Sequence, residues 1–185
     1  MRYYRSLRSL GIFVLWPLAS VFADIALHRS GPDRLPSQSF LVGLLVAVYF
    51  PVNYLRLALS RPAEAAEYFF LAADTIIFFA FVFGILNFFR HRKRFRQTAS
   101  ALLGTDIMIN LVGIALTTLA LTFPSETMTS VHEFGYLVLL LWWIDVAGFI
   151  ISKAIDQPYL VGIMLVVFYV VAALGVLTNM NQAAT

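Results

Sequence analysis

The sequence predicts an all-α membrane protein, with five transmembrane helices preceded by an amphipathic helix lying at the membrane interface. Three observations carry that expectation. Of the 185 residues, 61% are hydrophobic and only 12% charged, with a mean hydropathy of +0.83; soluble domains carry about twice that charge. The apolar residues fall in runs long enough to cross a bilayer, which needs roughly 20 residues per helix. The cationic residues cluster instead of being scattered, five of them within RHRKRFR at 90–96.

The spans follow in order at about 40–59, 68–89, 98–123, 134–152 and 159–177, within a single domain covering 1–185. Arg61-Pro62 ends the first, the basic run the second and Phe123-Pro124-Ser125 the third. Asp156-Gln157-Pro158 separates the last two. Proline stops a helix because it lacks an N–H and clashes with the preceding turn. Tyr68, Tyr136 and Tyr159 lie near predicted span ends, where an amphipathic ring favours the interface.

The apolar segment Leu10 to Leu27 admits three readings: a signal peptide cut before Asp24, a sixth span, or part of an interfacial helix over 3–29. Charge placement selects the third. With that helix on the cytoplasmic side, Arg2, Arg5, Arg8, Arg29, Arg34, Arg90, Arg92, Lys93, Arg94, Arg96 and Lys153 all stay inside, leaving only Arg56 and Arg61 of the 13 cationic residues towards the outer face. Either other reading exports a basic cluster, against the tendency of Lys- and Arg-rich loops to stay cytoplasmic. Leu7, Val14, Leu18, Val21 and Ile25 share one helical face, opposite Arg2, Arg5, Ser9, Ser20 and Asp24. The expected location is a bacterial inner membrane, N-terminus cytoplasmic and C-terminus periplasmic. The loop bearing Arg90, Arg92, Lys93, Arg94 and Arg96 is its cytoplasmic anchor, with anionic lipid heads as its expected contacts. Nucleic acid is not an expected partner for so short a loop at a membrane.

Polar residues inside spans are costly and normally face the bundle interior. Asp106, Asn110, Gly113 and Thr117 form one stripe; Asp145, Gly148 and Ser152 form another. At about 1.5 Å of rise per residue, Asp106 and Asp145 lie roughly 14 and 15 Å from the cytoplasmic side. The two aspartates are therefore expected to face each other across the third and fourth spans. Two roles stay open for the pair: packing glue, with Asn110 as a hydrogen-bond partner, or a shared proton or cation site. Arg56 and Asp74 are expected to form an ion pair nearer the outer face, and Pro51 and Asn53 to mark a bend.

Reactive constellations are missing from the sequence. Cysteine is absent, His132-Glu133 lacks the second histidine of a zinc-protease motif, and His28, His91 and His132 fall in separate loops. Neither an enzyme nor a cofactor is expected. Several segments are familiar: SGPDRLPSQ before the first span, RFRQTASALLGT with Asn110-Leu111 in the third, and LWWIDVAGFIISKAIDQPYLVG joining the last two. With the five-span layout, they resemble the Yip1-like family and its small bacterial members. That resemblance implies a non-catalytic membrane scaffold or assembly factor acting through helix contacts, as a homo-oligomer or with a membrane-protein partner. The alternative expectation is a small proton- or cation-coupled transporter or channel built on Asp106 and Asp145.

Overall fold

The computed structural model describes residues 17–60 and 65–183, with side chains described over 17–59 and 71–175. Its helices are α1 (17–26 as described), α2 (Ser39–Ser60), α3 (Ala65–Phe88), α4 (Phe95–Thr122), α5 (Glu126–Ala154) and α6 (Tyr159–Ala183). One-turn 3-10 helices at Pro32–Arg34 and Arg92–Arg94 precede α2 and α4, and no strand occurs among the described residues. Four helices are long and apolar enough to cross a membrane, namely those containing Ser39–Leu59, Leu71–Phe88, Arg92–Thr122 and Glu126–Ala154. The described apolar stretch of α6, Tyr159–Gly175, is shorter.

Helix α5 begins eight residues before the predicted start of its span. Ser125 explains the difference: its Oγ accepts the backbone N–H of Met128 at 3.1 Å, and Glu126 supplies a carboxylate in the first turn. A capped N-terminus carries the helix through polar residues that hydropathy alone assigns to a loop.

Helix α4 is central. It packs most extensively on α2 and also on α5, which in turn packs closely on α6; α3 makes lighter contacts with α4 and α6. The buried core lies towards the end of the bundle where the basic residues gather. There residues 98–105 of α4, Val146, Ile150 and Ile151 of α5 and Ile155 just after it lose nearly all solvent contact, with Val82, Leu86 and Val166 beside them. Burial thins towards the opposite end, where residues 121–127 are exposed.

Three helices finish at the basic end in the same way. His28, Arg90 and Asp156 adopt positive φ of 58°, 63° and 53°. The next N–H then bonds back to the last turn: Arg29 to Asp24, His91 to Leu86 and Gln157 to Ser152, at 2.7, 2.7 and 3.0 Å. This closure usually uses glycine. Two of the three side chains engage partners across the bundle: His28 meets Asp145, and Asp156 meets Arg94 and His91.

Helix α1 corrects an expectation. The apolar face assigned to lipid is packed on protein over the described turns: Phe22, Ile25 and Ala26 are buried, and Leu18 and Val21 lie against the core. The reason is Gly104 of α4, where the Phe22 ring occupies the space a side chain would need. The Trp142 indole N–H fixes the end of α1 by donating to the Ala26 carbonyl at 3.2 Å. Arg2, Arg5, Leu7, Arg8, Ser9 and Val14, and Arg61 beyond α2, lie outside the described residues.

Candidate functional site: a polar cavity inside the bundle

Between the helices lies a cavity of about 570 Å³, to which all five long helices contribute. Tyr49, Asn53 and Arg56 enter it from α2, Asp74 and Thr75 from α3, Asp106 and Asn110 from α4, Tyr136 and Trp143 from α5, and Tyr169 from α6. Its walls are otherwise apolar, with Phe78, Phe79 and several leucines.

The polar groups are fixed by their own helices and by partners across the bundle. Asn110 donates to the Asp106 carboxylate at 2.6 Å and to the Asp106 carbonyl at 3.0 Å, one turn earlier on the same helix. Asn53 and Trp143 also reach that carboxylate, and Arg56 bears on it electrostatically. The Tyr169 hydroxyl donates to Asp74 Oδ1 at 2.6 Å, and the Tyr49 hydroxyl meets Thr75 Oγ1 at 3.4 Å. Phe78 lies with its ring centroid 5.6 Å from Trp143 and 4.9 Å from Tyr169, so aromatic rings from α3, α5 and α6 meet in one wall.

The sequence-predicted residues divide. Asp106 and Asn110 are brought together, and Arg56 and Asp74 reach the same cavity. Asp145 does not join them. It accepts a hydrogen bond from the Tyr159 hydroxyl and lies 3.5 Å from His28 Nε2, so it ties the turn after α1 to α5 and α6. The expected Asp106–Asp145 pair is therefore corrected to two separate sites. The stripe of Asp145, Gly148 and Ser152 is real, but its partner is α6. There Gly162 lies directly on the Gly148 backbone and against Ser152.

Several cavity residues were not singled out by the sequence. Tyr49, Trp143 and Tyr169 carry polar groups near the middle of predicted spans, and that mid-span position was the available signal. Asn53, expected at a bend, reaches the cavity floor of α2. Tyr136, expected at the interface, bonds Thr117 Oγ1 at 2.9 Å and donates to the Gly113 carbonyl at 3.4 Å.

A second polar cluster occupies the basic end. Arg90, His91, Arg92, Lys93, Arg94 and Arg96 line a groove with Ser37, Phe83 and Phe95. The Arg92 guanidinium lies 5.1 Å over the Phe83 ring. Arg94 does more than anchor the loop: it donates to Asp156 Oδ1 at 2.8 Å and to the Lys153 and Ala154 carbonyls at 3.3 and 3.2 Å. It thus satisfies carbonyls that the end of α5 leaves without helical partners.

The hydrogen bond from Arg94 holds the Asp156 carboxyl below its ordinary value, and the charges of Arg94 and His91 act in the same direction. A lowered folded-state value means that this contribution is present above the ordinary aspartate value of about 3.9 and is lost as pH falls through the lowered one. Asp156→Asn is expected to lower the melting temperature slightly at pH 7, and the difference from wild type to narrow as pH falls below about 4. Arg94→Ala is expected to lower it further at both pH values, since the carbonyls of α5 lose their donor as well. Melting in detergent at pH 7 and pH 3.5 checks both expectations.

Comparison with family models, with curated proteins and with solved structures finds no match to this chain.

Proposed function

We propose that this chain is a small carrier that binds an organic cation in its intramembrane cavity and moves it in exchange with protons. The observation that supports this most is the cavity itself. Packing glue alone needs no space beside it, whereas here a guanidinium, two carboxylates and several hydroxyl and amide groups, partly bonded to one another, also line open space. Ionisable residues at membrane depth mark substrate or ion pathways. The volume lies within the range of about 300–1,000 Å³ usual for small-molecule sites.

The lining chooses the ligand class. A single guanidinium, Arg56, faces two carboxyl groups, Asp74 and Asp106, a balance that favours a cation. The aromatic wall of Phe78, Trp143 and Tyr169 offers π faces to an ammonium or phosphonium group. In this reading α2 to α6 are five spans, with the basic end cytoplasmic in a bacterial inner membrane and anionic lipid heads against Arg90, Arg92, Lys93 and Arg96. The scaffold role implied by the Yip1-like resemblance is the second reading; against it, Gly148 and Gly162 pack on each other's helices and Gly104 on Phe22.

Titration of the purified protein with tetraphenylphosphonium tests the carrier reading. Saturable binding is expected, weakened about tenfold or more by Asp106→Asn and by Trp143→Ala, equivalent to about 1.4 kcal/mol or more. No saturable binding of tetraphenylphosphonium or of the smaller tetraethylammonium would overturn it.

A further inference from the structure

We propose that His132, Thr117 and Tyr136 form a proton-entry path from the α4–α5 loop end of the bundle to the Asp106 carboxyl. The inference rests on the carrier reading and supplies the route by which its cavity exchanges protons.

The three side chains stand in series across the α4–α5 contact. His132 Nε2 lies 3.2 Å from Thr117 Oγ1, and Thr117 Oγ1 lies 2.9 Å from the Tyr136 hydroxyl. His132, about two turns into α5, is partly exposed, and Thr117 is 3% exposed. Tyr136 and Gly113 then line the cavity together with Asn110 and Asp106. From Gly113 to Asp106 is seven residues, roughly 10 Å along α4, a distance that water in a polar cavity of this size bridges.

Thr117 is the informative residue. A threonine in a helix ordinarily returns its hydroxyl to the carbonyl four residues back. Thr75, Thr98, Thr105, Thr118, Thr122 and Thr129 all do so in this chain. Thr117 instead reaches across to two side chains of α5. Hydroxyls both donate and accept, so a hydroxyl held between an imidazole and a phenol can pass a proton on, which a back-bonded one does not.

The groups facing each end are known. His132 meets Thr117 of α4 and the Tyr136 ring of its own helix, 4.8 Å between centroids, with the exposed Glu126 and Glu133 on the same end of α5. Asp106 faces Arg56 and Asn53 of α2, Trp143 of α5 and Asn110 of its own helix, while Asp74 of α3 and Tyr169 of α6 line the same cavity. Imidazole is the side chain suited to exchanging protons near neutral pH. In the transfer, an imidazolium N–H bond breaks as the proton joins Thr117 Oγ. The Thr117 hydroxyl proton passes to the Tyr136 oxygen, the phenol proton turns from the Gly113 carbonyl to cavity water, and a water proton joins Asp106 Oδ. The imidazole ends neutral, one proton has moved, and no electron changes hands.

Time-resolved infrared spectroscopy of the purified protein after flash release of a caged proton tests the path. The carboxyl C=O band that disappears in Asp106→Asn reports arrival at Asp106. Its rise is expected to slow at least tenfold in Thr117→Val and His132→Gln at unchanged final amplitude, and to recover in Thr117→Ser. Neither Thr117 nor His132 lines the cavity, so tetraphenylphosphonium affinity at fixed pH is expected to stay at the wild-type value in both variants. A band rising at the wild-type rate in both Thr117→Val and His132→Gln would overturn the path, as would a wild-type protein whose Asp106 band never appears. In either case the carrier reading is judged separately, by whether wild type binds tetraphenylphosphonium.

Discussion

Gly162→Leu is expected to separate α5 from α6 and to destabilise the protein by at least about 3 kcal/mol, the upper range for overpacked cores. A Cβ at this position would meet the Gly148 carbonyl oxygen, the Ser152 Cβ at 2.8 Å and the Ser152 backbone nitrogen at 2.9 Å. Two of those three atoms belong to the backbone of α5, so no rotamer change makes room. From the other side, a Cβ at Gly148 would lie 2.9 Å from both Cα and N of Ile163. The helices can therefore cross this closely only because both carry glycine at the crossing, as small-residue contacts between membrane helices require. Gly43 provides the control, since a Cβ there meets nothing within 4 Å. Gly43→Ala is expected to be neutral or to stabilise by up to about 1 kcal/mol through helix propensity. Denaturation in mixed micelles checks both, and a Gly162→Leu protein as stable as wild type would refute the close crossing.

Asp106→Leu is the second large effect, expected to cost about 2–4 kcal/mol, as removing one member of a buried polar or charged set does. Leucine leaves the Asn110 amide with the Asp106 backbone carbonyl as its remaining acceptor in this turn. It also takes away one of the two carboxylates that offset Arg56 within an apolar shell. Asp106→Asn is expected to stay within about 1 kcal/mol of wild type, because the amide keeps an oxygen that accepts from Asn110. The two variants separate roles: both weaken tetraphenylphosphonium binding, but only leucine lowers stability substantially. Equal stability of the leucine and asparagine variants would mean that the carboxylate has no structural part in the cavity.

By itself the sequence determined that this chain is helical, rich in membrane-length apolar helices, and that its described cations other than Arg56 gather at one end of the bundle. These properties are local. A run of twenty apolar residues makes a helix of membrane length whatever surrounds it, and Pro124, just past the end of α4, cannot continue a helix because of its own covalent geometry. The two polar stripes could be drawn from the sequence, since a stripe depends only on the 3.6-residue repeat of one helix. Only the tertiary structure decided what each stripe faces. Asp145 and Trp143 are two residues apart and so about 200° apart around α5. That angle turns Trp143 towards the cavity and Asp145 towards Tyr159 and His28. Depth along a helix can be counted from the sequence, whereas rotation about its axis is set by neighbours, here by Gly162 seated on Gly148 and by Phe22 seated on Gly104. Two aspartates at matched depth were thus assigned to one site although they belong to two. The cavity lay beyond the sequence for the same reason: its lining comes from five helices, and no single helix reveals that the other four leave space beside it.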